Sequence, residues 1–128
     1  MKTNINKDVS EKLKKAIDFI SKLSEDQKQK IIKLLKEVQG IQKSELTIKE
    51  KSNEIKRVLW TEQSSKSKLL IGAFLGTIMG FALFGTGGIG IVALGGGLGI
   101  WGFFAGTAGG VLISSLIQNF ENKEKNNY

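Results

Sequence analysis

Between Lys68 and Glu121 the chain runs for 52 residues, Leu69 to Phe120, without one charged side chain. A water-facing surface is not built from so long an uncharged run, because charged residues supply about a quarter of an ordinary globular chain. As a single helix the stretch would extend roughly 78 Å, at about 1.5 Å per residue. A bilayer core is about 30 Å thick and takes about 20 residues per crossing. Two crossings and a turn fit this length, whereas one is too few and three would each be short. The predicted fold is therefore all-α, with amphipathic N-terminal helices followed by a glycine-rich transmembrane hairpin over residues 69–118. Two glycine clusters, FGTGGIG (84–90) and LGGGLG (94–99), put the turn within 85–97.

Glycine inside a helix in water costs about 0.8–1.0 kcal/mol relative to alanine, yet here it recurs every four residues. Gly72, Gly76 and Gly80 form GxxxGxxxG in the first arm, Gly102, Gly106 and Gly110 repeat it in the second, and Gly95 with Gly99 adds one more GxxxG. Spacing by four keeps glycines on one face, where the missing side chains let another backbone approach closely. In lipid that close packing is what drives helices together, and Thr77, Thr107, Ser114 and Ser115 can add interhelical hydrogen bonds. These faces predict helix packing and a homo-oligomer, with the mate of each face lying either in the same chain or in the next. On these residues the back half resembles the glycine-zipper two-helix segments of several bacterial membrane-active proteins, toxins and effectors among them. The resemblance covers about the last sixty residues and implies a membrane-inserted hairpin that acts by oligomerising.

The charge lies almost wholly in front of that stretch. Residues 1–68 hold 17 Lys/Arg against 10 Asp/Glu, which accounts for the whole formal charge of +7, while the tail 119–128 sums to zero. Residues 1–60 read as a basic amphipathic helical region on the cytoplasmic side, and 61–68 as a polar linker. In DVSEKLKKAIDFISKL, Asp8 stands as N-cap with Glu11 three residues on, and Leu13, Ile17 and Ile20 share a face with Val9, Ala16 and Leu23 beside it. Ser24 then caps a second helix with Gln27 as its capping partner; Ile31, Leu34, Leu35 and Val38 make the stripe and Gly40 marks its end. A third helix is expected from Ser44 to about Trp60 with a sparse stripe of Ile48, Ile55 and Leu59, as an exposed stalk. Arg57, Lys66 and Lys68 flank the first crossing, so positive-inside bias keeps both termini of a multi-pass protein cytoplasmic at the inner membrane.

The same composition closes off other classes. There is no cysteine and no histidine, which removes thiolate chemistry, the commonest general base and the commonest metal ligand. No catalytic, cofactor-binding or metal-binding residues are predicted, and an enzyme is not expected. GTGGIG and GGGLG lack the Lys-Ser/Thr of a phosphate-cradling loop. Arginine occurs once, and only Phe19 interleaves the helical lysines, so nucleic acid is disfavoured as partner. Three readings remain. The hairpin anchors cytoplasmic helices that recruit a protein or sense anionic lipid, or it permeabilises the membrane as a toxin or phage-defence effector, or it stays packed away until triggered.

Overall fold

Two capping boxes determine where the second and third helices begin. In the computed structural model, which describes residues 2–79 and 99–126 (side chains 7–79 and 99–121), the Ser24 hydroxyl accepts from the Gln27 N–H, and the Gln27 side chain accepts from the Ser24 N–H, both at 3.3 Å. Thr47 and Glu50 repeat the arrangement at 3.2 and 2.9 Å. Each box satisfies two N–H groups that the first helical turn leaves without partners. The helices are α1 (Lys2–Ser21), α2 (Glu25–Gln42), α3 (Ile48–Lys56), α4 (Ser65–Met79), α5 (Gly99–Ala105) and α6 (Thr107–Asn126), and α3 runs into a π-helical turn over Arg57–Thr61. No strand occurs among the described residues, so the all-α class holds.

Three local expectations are corrected. Helix α1 begins at Lys2, and Asp8, inside it, pairs with Lys12 at 2.8 Å instead of capping. Gly40 does not end α2, which continues to Gln42 and is capped at Lys43. Helical backbone through Gly40 requires no special φ, and the residue is exposed. The third helix starts at Ile48 behind its Thr47 cap, not at Ser44, and it is no stalk: Ile55 and Leu59 are buried against α5 and the other helices, although Ile48 remains half exposed.

One core joins the charged and the uncharged halves. From the front come Val9, Ala16, Ile20, Ile31, Leu34, Leu35 and Val38; from the back come Ile71, Phe74, Leu75, Ile78, Phe104, Leu112, Ile113 and Leu116. The predicted stripes of α1 and α2 are thus the faces that turn inward, as helical periodicity requires. Helix α4 packs chiefly on α1, α5 on α3 and α6, and α6 on α1 and α2. The apolar faces of α4, α5 and α6 are thus covered by amphipathic helices, most of whose lysines are exposed.

Candidate functional site

Helix α4 carries Gly72 and Gly76 of the first GxxxGxxxG pattern. Its Ile71, Phe74, Leu75 and Ile78 are buried, as are Gly72 and Gly76, while Leu69 is 76 % exposed. Phe74 stacks at a tilt on Phe19 of α1, ring centroids 5.7 Å apart, and Lys30 of α2 donates to the buried Ser67 hydroxyl. Gly80 and Gly95, and the expected turn within 85–97, lie outside the described residues.

The C-terminal uncharged segment is bent. The GxxxGxxxG of Gly102, Gly106 and Gly110 does not lie on one continuous helix: α5 and α6 meet at Gly106 with a 69° change of direction. Across the break the Gly106 N–H donates to the carbonyls of Gly102 and Phe103, and the Gly110 N–H to that of Gly106. The Phe104 carbonyl is met instead by a side chain, the Gln42 amide, at 2.6 Å. Polar carbonyls at a break need such a partner when they are buried. Gln39 of α2 likewise donates to Ser114 of α6 at 3.2 Å, and Lys36 pairs with Glu121 at 3.3 Å. Helix α2 therefore supplies a row of polar ties along α6 and the bend.

The bend separates the glycines by role. A Cβ on Gly109 would stand 2.3 Å from the Phe103 carbonyl oxygen and 2.5 Å from the Phe104 Cα, so this close crossing of backbone admits only glycine. Gly106 has ordinary space, and Gly110 has nothing within 4 Å. Gly99 takes a positive φ of 24° at the start of α5, and Gly102 is half-buried within it. Sequence reasoning chose Gly110 by its spacing and passed over Gly109. The adjacent pair Gly109-Gly110 was the available sign that two backbone constraints, not one periodicity, operate here.

The flanking cations sit differently from one another. Arg57 is held between Glu54 (2.7 Å) and Glu62 (2.6 Å), which raises its pKa further above the ordinary arginine value and holds the Glu54 carboxyl below the usual carboxylate range. Lys68 lies 5.6 Å from the centroid of the Trp60 ring, a separation suited to a cation–π contact. Lys66 is exposed.

Beside the bend opens a groove of about 570 Å³, bounded by the end of α2, the start of α3 and the first turns of α6. Lys43 and Lys51, the amides of Gln39 and Gln42, and the hydroxyls of Thr107 and Ser115 line it. Lys51 donates to the Gln42 carbonyl at 2.8 Å, and the Gln42 Oε1 is buried without a hydrogen-bond partner in the protein. No sequence pattern marks this groove, because one wall comes from residues 39–51 and the other from residues 105–118. Among the described residues no three His, Cys, Asp or Glu side chains gather as metal ligands would. No protein-family model, curated protein or solved structure matches this chain.

Proposed function

We propose that the chain is a bacterial membrane-anchored helical protein whose uncharged half exchanges its cover of amphipathic helices for lipid. The observation that carries this reading is the way the uncharged half is covered: α4 chiefly by α1, α5 by α3 as well as by α6, and α6 by α1 and α2. Side chains such as Phe74, Leu75, Phe104 and Leu116 are buried against separable elements, and acyl chains would satisfy them equally well. No single helix among the described residues is long and apolar enough to cross a membrane; α5 with α6, Gly99 to Glu121, reaches the length and composition only as a bent pair.

In lipid the hairpin anchors the basic helices at the inner membrane with both termini cytoplasmic, and copies associate through the glycine faces. The front helices, once released, are free to take a cytoplasmic protein partner. The test is carbonate extraction of membranes from cells expressing the chain. Retention in the pellet supports the anchor, and release into the soluble fraction overturns it.

A second reading, a membrane-permeabilising effector, draws on the same cover. A chain that sheathes its own apolar helices can be made in a packed form and enter the bilayer afterwards. Following membrane potential on controlled expression, beside a Gly76→Leu/Gly106→Leu variant, separates the two. Collapse of potential with the parent chain alone favours the effector, and an unchanged potential at confirmed membrane levels favours the anchor.

A further inference from the structure

The groove beside the bend lies between α2, α3 and the start of α6, and its lining combines three chemistries. Lys43 and Lys51 bring two ammonium groups, and no aspartate or glutamate lines it. Thr107 and Ser115 bring neutral hydroxyl donors. Ile48 and Val111 stand at the same groove 50 % and 51 % exposed, and Leu46, 38 % exposed, lies two residues from Ile48. Apart from Leu69, these are all the exposed large apolar side chains among the described residues.

Cations beside neutral donors, with aliphatic side chains at the rim, match a ligand that is anionic at one end and hydrocarbon at the other. We infer that the groove binds the headgroup of an anionic phospholipid, its phosphate between Lys43 and Lys51 and its first acyl methylenes on Ile48 and Val111. Lys51 uses one of its three donors on the Gln42 carbonyl, which leaves two for a phosphate oxygen. Lys43 has no ion-pair partner among the described residues. The space over Gly110 keeps the floor open. An uncharged helix of a second copy would offer the two ammonium groups no acceptor, and burying them unpaired is costly, so lipid is the better occupant. The groove exists only while α2 and α3 pack on α6, so it acts in the packed chain, before the uncharged half leaves its cover; the inference rests on the membrane reading and names the lipid class that the packed chain meets first.

The experiment compares the full chain with Lys43→Gln/Lys51→Gln and with Lys14→Gln/Lys15→Gln, which removes equal charge from the exposed side of α1. Binding is measured to phosphatidylcholine vesicles with and without phosphatidylglycerol. At about 1 kcal/mol for each lysine near an anionic surface, the groove pair is expected to lower affinity for the anionic vesicles about tenfold or more. The α1 pair should cost clearly less. Lys43→Gln alone, which leaves the Lys51–Gln42 contact in place, should retain part of the loss. Soluble short-chain phosphatidylglycerol should shift the amide resonances of Lys43, Thr107, Gly110 and Val111, and inorganic phosphate should not. Equal losses from both lysine pairs would mean diffuse charge attraction and overturn the inference. So would identical shifts with inorganic phosphate, or self-association lost in the groove variant while lipid binding persists. Carbonate-resistant association of every variant, with no preference for the anionic lipid, sinks the groove and spares the anchor; release of every variant sinks both.

Discussion

The Gly109 Cα passes so close to the Phe103 carbonyl that an added methyl group would stand 2.3 Å from its oxygen, whereas one on the neighbouring Gly110 would meet nothing within 4 Å. The contact is backbone on backbone, so no side chain can move aside to relieve it. Gly109→Ala should therefore destabilise the packed fold by about 1–3 kcal/mol, the usual range for overpacking. Gly110→Ala should be neutral or stabilising by up to about 1 kcal/mol through helix propensity. Chemical denaturation of the two variants checks the order, which a purely periodic view of the glycines would reverse.

Gly40 offers the simplest test of the helix boundaries. It sits inside α2, exposed, with open space where a Cβ would be. Gly40→Ala should raise stability by about 0.8–1.0 kcal/mol. A loss on denaturation would mean that the helix ends at Gly40 after all.

The Phe19–Phe74 pair joins the cover to the covered helix. Phe19→Ala leaves the uncharged half intact and removes a half-buried ring, so it should destabilise by less than the ~3–5 kcal/mol of a fully buried phenylalanine. If the packed and lipid-bound states compete, the same substitution should raise the fraction of chain bound to vesicles. Thermal melting and flotation, read on one preparation, check both effects.

Acid should weaken the third helix. Hydrogen bonds from Thr47 hold the Glu50 carboxyl below its ordinary value, and Arg57 does the same for Glu54. A carboxylate depressed in the folded state stabilises above its unfolded pKa, about 4.3, and that contribution is lost as pH falls through the lower folded value. Stability should be level between about pH 5 and 7 on this account and decline below about pH 4. Glu50→Gln, which keeps a side-chain acceptor for the cap, should flatten part of that decline in acid titrations followed by circular dichroism.

The local grammar of the front half was legible. Ser24 with Gln27, and the stripe Ile31, Leu34, Leu35 and Val38, follow from capping and from the 3.6-residue period, which act within one helix. Thr47 and Glu50 carry the same signature and were readable in principle. What periodicity leaves open is the partner of each face. The stripes of α1 and α2 fit one another, a lipid surface or the uncharged helices equally well, and the structure pairs them with the last of these. The bend at Gly106 was hidden because GxxxG spacing describes one straight helix, while the break depends on Gln42, 62 residues earlier in sequence than Phe104. The groove was hidden for the same reason: Lys43, Lys51 and Thr107 meet only after three segments have folded.

The central claim is that the uncharged half leaves its cover for lipid, and Trp101 reports on this directly. It is buried in α5, 4 % exposed, while the only other tryptophan, Trp60, lies in the π turn of the charged half. In a Trp60→Phe chain, fluorescence then comes from Trp101 among the tryptophans alone. Vesicles carrying bromine on their acyl chains should quench that emission once the chain has bound, while an aqueous quencher should not. Full Trp101 emission in brominated vesicles that demonstrably hold the chain would contradict the account, because the uncharged helices would then still be packed beneath α1, α2 and α3.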